Sequence, residues 1–154
     1  MRLYLVQHGD ALPKDLDPKR PLSPKGRRDI ARIGAELARP RLTIERIFHS
    51  GKLRAKESAE TLCAALAERQ SVEILAGLSP NDPVKTFMHK VEAWRKDVVV
   101  VGHLPFMSRL VGALVAGDED ACIVAFEPGS MVCVERDHEG CWHIVWMIRP
   151  DAFG

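Results

Sequence analysis

Hydrophobic and polar positions along the chain follow two alternating patterns. Short apolar runs, typical of buried strands, alternate with stretches in which apolar residues recur every three or four positions, typical of amphipathic helices. The runs predict strands at residues 2–6, 46–50, 71–78 and 97–103, and the periodic stretches predict helices at 23–39, 51–69, 82–94 and 104–117. Two further apolar segments around a turn near residues 137–140 predict a hairpin.

The order of these elements indicates an α/β fold. Strands that alternate with helices usually pair in parallel and are covered by helices on both faces of the sheet. The continuous apolar run "DVVVVGH" predicts a central strand that is buried on both faces. We therefore expect residues 1–154 to form a single three-layer α/β/α domain, with a mostly parallel central sheet and a C-terminal hairpin.

The predicted helix at 23–39 has both a start signal and a buried face. Ser23 is a candidate N-cap, and the proline that follows it suits the first turn of a helix. Ile30, Ile33 and Leu37 recur at helical spacing and predict the face that packs against the sheet.

Composition and charge exclude several classes of protein. The sequence is 46% hydrophobic and 28% charged, as expected of a globular domain, and its net charge of +1 gives no electrostatic argument for a nucleic-acid or membrane partner. No apolar run approaches the roughly 20 residues of a membrane span, and the N-terminus shows no signal-peptide pattern. The four cysteines form no C-x-x-C pair, which favours reduced thiols in the cytoplasm.

Two histidines each follow a predicted buried strand. Ligands of open α/β sheets bind at the carboxyl ends of the strands, so His8 and His103 can face each other across one crevice. Arg54 lies in the first turn of the helix at 51–69, where free N–H groups favour an anion and a guanidinium suits phosphate oxygens. The residues therefore predict a phosphate pocket with a histidine that can attack phosphorus.

Other kinds of site find little support in the sequence. There is no H-E-x-x-H segment and no pair of histidines at short ligand spacing, so we expect no metal. There is also no G-x-x-x-x-G-K-[ST] or G-x-G-x-x-G segment, so we expect no nucleotide cofactor. His49 directly precedes Ser50 and is given only a supporting role at the pocket.

Three ordered segments resemble the motifs of the histidine phosphatase superfamily, which has a phosphoglycerate mutase-like fold. The family pattern is Arg-His-Gly after the first strand, Ser-x-x-x-Arg-Ala opening a helix, and Gly-His after a central strand. The matching segments here are "LVQHGDA", "HSGKLRAKESAETL" and "VVVVGHLP". The segment "RPLSPKG" and the compact length are similar to the small bacterial SixA-type phosphohistidine phosphatases.

The resemblance implies a role for each matched residue. His8 matches the nucleophile that becomes a covalent phosphohistidine, and Arg54 matches an arginine that binds the phosphoryl oxygens. His103 matches the second histidine, which donates to those oxygens in the transition state. Gly9 lets the backbone turn beside the phosphate. Gln7 stands where the family pattern has arginine, and its neutral amide forms weaker hydrogen bonds to a phosphate than a guanidinium does.

The resemblance also implies a general acid from the segment before the Gly-His strand. Asp82 is in position for this role, and Asp10, beside Gly9, is the rival. Both are also explained as turn-forming residues. A phosphohistidine substrate needs the acid less, because its imidazole leaving group has an ordinary pKa of roughly 6.5.

The expected function is that of a metal-independent phosphatase with a covalent phosphohistidine intermediate. The expected substrate is phosphohistidine on a signalling protein, such as a histidine-containing phosphotransfer domain, because little chain remains for a lid and the charged loop at 12–22 predicts an open rim. One alternative is a small-molecule phosphomonoesterase or mutase-like enzyme on the same scaffold. The other is a domain that binds phosphate or a phosphoprotein and is impaired in catalysis by Gln7.

Overall fold

The computed structural model describes residues 1–38, 42–66 and 70–154, and the strands in that part of the chain form one six-stranded sheet. None of its helices is long and apolar enough to cross a membrane. The predicted helix ends at residue 39 and at residues 67–69 lie outside the described residues. The strands are β1 (Arg2–Gln7), β2 (Ile44–His49), β3 (Ser71–Ile74), β4 (Asp97–Gly102), β5 (Met131–Arg136) and β6 (Trp142–Ile148). The helices are α1 (Pro24–Ala38), α2 (Leu53–Ala65), α3 (Val84–Glu92) and α4 (Phe106–Ala116), and a 3₁₀ helix (Pro150–Phe153) follows β6.

The strand order across the sheet is β3-β2-β4-β1-β5-β6. The first four strands pair in parallel, whereas β5 and β6 form an antiparallel hairpin that is added beside β1. This arrangement confirms the predicted α/β class and the C-terminal hairpin. The register of β1 against β4 pairs Gln7 with Gly102, so the residues that follow, His8 and His103, leave the sheet side by side.

Helices cover both faces of the sheet. One face packs against α3 and α4, and the opposite face packs against α1 and α2. The side chains of β4 alternate between the two cores, with Val98 and Val100 on the first and Val99 and Val101 on the second. All four valines are at most 3% exposed, which confirms the prediction of a central strand buried on both faces.

Helix α1 begins and packs as the sequence predicts. The Ser23 hydroxyl oxygen accepts a hydrogen bond of 3.0 Å from the backbone N–H of Gly26, which is the contact expected of an N-cap. Ile30, Ile33 and Leu37 are all at most 2% exposed, so the predicted face is the one that packs on the sheet.

Strand β3 is shorter than the apolar run at 71–78 predicts. It lies at the edge of the sheet, and its side chains are mostly exposed. The chain then turns at Gly77, whose φ of 94° is in the left-handed region that favours glycine. Leu78 is 1% exposed and packs in the core beneath α3 and α4, so the run ends in a buried residue that is not part of a strand.

Candidate active site

The structure brings together the three residues that the sequence predicted as a phosphate site. The rings of His8 and His103 lie 5.0 Å apart between centroids and are tilted by 54°. Arg54, in the first turn of α2, donates a hydrogen bond of 3.2 Å from its Nε to His8 Nε2. His8 and His103 directly follow β1 and β4, Arg54 lies in α2, and the three side chains meet at the carboxyl end of the parallel strands.

The hydrogen bonds of His8 fix the position of its proton. His8 Nδ1 lies 2.7 Å from the backbone oxygen of Gly9. A carbonyl oxygen only accepts, so Nδ1 carries the hydrogen and Nε2 of the neutral ring carries the lone pair. The Nε–H of Arg54 donates to that lone pair. His8 therefore presents an unprotonated nitrogen on the side where the cation lies, as a nucleophile in a phosphate site requires.

Both site histidines are held in their neutral form. Burial lowers the pKa of His8 to about 4, and the charges of Arg54 and Arg20 act in the same direction against the opposing hydrogen bond to Gly9. Burial also lowers the pKa of His103 to about 3, assisted by His8, Arg54, Lys52 and Arg20. Near neutral pH each ring therefore has one N–H donor and one lone pair.

Ser58 joins the two halves of the site. Its hydroxyl accepts a hydrogen bond of 3.0 Å from the backbone N–H of Gly9 and donates one of 2.7 Å to the backbone oxygen of Arg54. The side chain is fully buried, so these bonds do not compete with water. The sequence analysis missed Ser58, although its spacing places it on the buried face of α2. A polar residue on a buried helix face indicates a hydrogen bond to another part of the protein.

Ser50 contacts the second histidine. Its Oγ lies 2.6 Å from His103 Nε2 and also accepts a weaker hydrogen bond of 3.4 Å from the backbone N–H of Lys52. The other ring nitrogen of His103, Nδ1, is buried without a hydrogen-bond partner. Ser50 is the first residue of the Ser-x-x-x-Arg segment, so the motif itself was the signal that could have identified it.

His49 shapes the turn between β2 and α2 and has no hydrogen bond to His8 or His103. It is 3% exposed, and its Nδ1 accepts a hydrogen bond of 3.1 Å from the backbone N–H of Gly51, whose φ is 92°. Burial lowers its pKa, which keeps the accepting nitrogen unprotonated. It lies next to Ser50 in the turn, and its supporting role at the pocket stays a prediction.

Arg20 adds a second positive charge near the histidines. Its Nε donates to the backbone oxygen of Leu12 at 3.1 Å, and its charge contributes to the lowered pKa values of His8, Arg54 and His103. The sequence placed Arg20 among the charges of an open rim and gave it no role at the phosphate. Within the described part of the chain, Arg20 is the residue other than glycine that has a positive φ, 50°.

Gln7 ends β1 beside His8, at the position where the family pattern has arginine. It is 8% exposed, and its side-chain oxygen is buried without a hydrogen-bond partner. It forms no side-chain hydrogen bond to the other site residues within the part of the chain that the structure describes. The position therefore adds a neutral group to the site.

The two candidate general acids lie in loops. Asp10 accepts a hydrogen bond of 2.5 Å from the hydroxyl of Ser23, and Asp82 accepts one of 2.8 Å from the backbone N–H of Ser79. Among the described residues, neither carboxyl is hydrogen-bonded to His8 or His103. Their assignment as general acids stays a prediction.

The groups gathered at the site suit the binding of an anion. They are two neutral imidazoles, the Arg54 guanidinium and the start of α2, which together supply a nucleophilic nitrogen and several hydrogen-bond donors. Across residues 1–38, 42–66 and 70–154, no group of three or more histidine, cysteine or carboxylate side chains is arranged to hold a metal ion. The cysteines of this part of the chain, Cys63, Cys122, Cys133 and Cys141, are free thiols.

Comparison with known proteins identifies relatives over nearly the whole chain. No protein-family model matches the sequence. The sequence is 28% identical over 155 residues to the phosphohistidine phosphatase SixA of Escherichia coli (strain K12). The aligned region covers 97% of this chain and 94% of that protein.

Solved structures agree with this relationship. The protein histidine phosphatase SixA complexed with tungstate superposes with a TM-score of 0.88, at 27% identity and with full coverage of both chains. The alpha-ribazole phosphatase of Shigella flexneri has a TM-score of 0.79 over 97% of both chains at 12% identity, which shows a common fold alone. The chain is therefore a SixA homologue and has the fold of the histidine phosphatase superfamily.

Proposed function

We propose that this protein is a phosphatase that hydrolyses phosphohistidine on another protein, with His8 as the nucleophile. The observation that carries this proposal is the state of His8. Its Nδ1–H is held by the Gly9 carbonyl, its Nε2 lone pair faces Arg54, and its ring is neutral at physiological pH. We also propose that residues 1–154 act as one histidine phosphatase domain.

The reaction proceeds in two displacements at phosphorus. In the first, His8 Nε2 forms a bond to phosphorus while the bond between phosphorus and the substrate imidazole breaks, and the departing imidazole takes a proton from solvent. In the second, water attacks phosphorus, the bond to Nε2 breaks, and a proton is released with inorganic phosphate. The first step leaves His8 bonded to phosphorus through Nε2 with its hydrogen still on Nδ1, and the second step returns the ring to the neutral Nδ1–H tautomer that the Gly9 carbonyl stabilises.

Arg54 changes partner when the substrate binds. In the free protein its Nε–H donates to the lone pair of His8 Nε2, the atom that has to attack. The hydrogen bond therefore blocks the nucleophile and uses a donor of the guanidinium. A phosphoryl group that enters between them offers oxygens to the guanidinium, which is a stronger, charge-assisted hydrogen bond, and frees Nε2. His103 and the nearby charge of Arg20 add to the stabilisation of the negative oxygens.

The surroundings of the site favour a protein substrate. The loop at 12–22 is closed at its base by a bridge between Ala11 and Leu22, and its residues 13–16 are exposed. Within the described residues between Arg54 and His103, most of the chain forms α2, β3, α3 and β4, which leaves little of it for a lid. An open site buries little of a small metabolite but admits a phosphorylated side chain. The phosphohistidine activity in the name of the E. coli relative supports the same choice.

The substrate is tested by comparing kcat/KM across phosphorylated compounds. We expect a phosphohistidine peptide, or a phosphorylated histidine-containing phosphotransfer domain, to be hydrolysed far faster than phosphoserine peptides or sugar phosphates, because imidazole leaves more readily than an alkoxide. A preference for a sugar phosphate or phosphoglycerate would overturn the proposal in favour of a small-molecule phosphomonoesterase or mutase-like enzyme.

The nucleophile is tested with His8→Ala. We expect rapid quench of the wild type to trap an acid-labile phosphoenzyme, and we expect His8→Ala to form none and to have no turnover. His103→Ala should keep the phosphoenzyme but lose on the order of 10²–10³ in rate. The matched control is His89→Ala, at an exposed histidine near the end of α3. Tight binding of vanadate by a wild type without turnover would instead favour a phosphate-binding domain.

A further inference from the structure

The contact between Ser50 and His103 links the predicted donor of the site to a residue without an assigned role. We infer that the Ser50 hydroxyl fixes His103 as its Nδ1–H tautomer, so that Nδ1–H is a free donor to a phosphoryl oxygen. Ser50 is thus a positioning residue that acts through His103. The use of that donor rests on the proposed function, whereas the tautomer is a property of the free protein.

The hydrogen-bond inventory of Ser50 favours this direction. A serine hydroxyl has one hydrogen to donate and two lone pairs to accept. The backbone N–H of Lys52 can only donate, so it uses one lone pair of Ser50 Oγ. Among the described residues, the other partner of this oxygen is His103 Nε2, at 2.6 Å, and only donation to that nitrogen gives the hydroxyl hydrogen an acceptor in the protein. An imidazole nitrogen that accepts is unprotonated, so the hydrogen of the neutral ring is on Nδ1.

The surroundings of His103 make the choice of tautomer matter. The residue is 2% exposed, and its lowered pKa keeps it neutral, so one ring nitrogen is a donor and the other is an acceptor. Nδ1 is buried and unpaired in the free protein, and a buried polar atom without a partner is costly. An Nδ1–H would be paired by a phosphoryl oxygen, whereas an Nδ1 lone pair would repel one.

The two histidines then differ through their partners alone. A carbonyl oxygen, that of Gly9, accepts from His8 Nδ1–H and leaves a lone pair on Nε2 for attack. A hydroxyl, that of Ser50, donates to His103 Nε2 and leaves a hydrogen on Nδ1 for donation. One ring is therefore set as the nucleophile and the other as the donor, although both are neutral.

The backbone around Ser50 is held in place. The preceding residue, His49, accepts a backbone hydrogen bond of 2.9 Å from Leu75, and its ring accepts from Gly51 on the other side of Ser50. The turn between β2 and α2 is thus fixed on both sides of the serine. Its hydroxyl meets His103 from a defined direction, as a positioning role requires.

The tautomer is measured directly by long-range ¹H–¹⁵N correlation spectra of the ¹⁵N-labelled, ligand-free protein near pH 7, with His103→Gln to assign the ring. We expect a protonated Nδ1 and an unprotonated Nε2 in the wild type. In Ser50→Ala we expect a mixture of tautomers and about tenfold weaker inhibition by vanadate. Ser50→Thr, which keeps the hydroxyl, should restore both properties.

The control is Ser71→Ala, at an exposed serine of β3 that is bonded to Glu73. A protonated Nε2 in the wild type, or an unchanged tautomer in folded Ser50→Ala, would overturn the inference. The wild-type spectrum decides the tautomer even if Ser50→Ala does not fold. A protein with the expected tautomer but no turnover of any phosphate would refute the proposed function and leave the assignment of Ser50 intact.

Discussion

His8 and His103 are chemically identical residues in the same cleft, but the atoms that touch them are different. The backbone oxygen of Gly9 and the hydroxyl of Ser50 decide which nitrogen of each ring carries hydrogen. Burial keeps both rings neutral, because removing a charged imidazolium from water is unfavourable. For His8 this effect on the pKa is larger than the opposing effect of the hydrogen bond to Gly9. The chemistry of the site therefore depends on single contacts of about 3 Å or less.

Gln7 is a residue at which this dependence can be tested. Gln7→Arg should tighten inhibition by phosphate or vanadate, because a charge-assisted hydrogen bond to a dianion is worth roughly 1.5–3 kcal/mol. Inhibition constants at fixed ionic strength measure the effect, and Gln7→Glu, with a similar shape and the opposite charge, should weaken inhibition. Unchanged or weaker inhibition in Gln7→Arg would mean that the pocket is arranged around the neutral amide.

At the scale of elements, the site depends on how closely α1 approaches the loop after β1. The backbone of Asp10 lies directly against Gly26. A Cβ atom at residue 26 would fall 2.0 Å from the backbone carbonyl oxygen of Asp10. The N-terminus of α1 is also bonded to Asp10 through Ser23. Helix and loop are thus in contact at the residues that immediately follow His8 and Gly9.

Gly26→Ala should therefore disturb both stability and activity. We expect a loss of about 1–3 kcal/mol in the free energy of unfolding, because backbone cannot yield as a flexible side chain can, together with a lower kcat/KM. Urea denaturation and steady-state kinetics measure the two effects. Lys25→Ala, at the exposed neighbouring position, removes only a surface ion pair with Asp29 and should change the stability by less than about 1 kcal/mol. A Gly26→Ala variant as stable and active as Lys25→Ala would contradict the close packing of α1 against the backbone of Asp10.

At the scale of the whole molecule, two buried neutral histidines make stability depend on pH. Their pKa values in the folded protein, about 4 and about 3, lie below the value of roughly 6.5 in an unfolded chain. Between these values the unfolded chain binds more protons, so stability is complete above about pH 6.5 and is lost as the pH falls toward 4.

Replacing the histidines should reduce this loss. Denaturant unfolding of the wild type and of a His8→Gln, His103→Gln double variant at pH 8 and pH 5 measures it. We expect the wild type to lose more stability between the two pH values than the double variant, with His89→Gln as the surface control. Equal losses in wild type and double variant would show that other groups cause the acid sensitivity.

The sequence by itself determined the features that arise from neighbouring residues. The valine run of β4, the cap of α1 and the apolar periodicity fixed the order of elements, and three short motifs identified His8, Arg54 and His103. These signals are local, because burial and helix capping act over a few residues along the chain. Even so, only the first half of the apolar run at 71–78 forms the strand β3, because the chain turns at Gly77 and places Leu78 in the core.

Only the tertiary structure decided which atoms complete the site. Ser50 meets His103 across 53 residues of sequence, and Ser58 meets Gly9 across 49. Arg20 acts on both histidines from a loop that the sequence described only as charged. Asp10, two residues after His8 in sequence, instead binds Ser23. Hydrogen bonds depend on distances and angles between groups far apart in the chain, and those are set only when the strands pair and the helices pack.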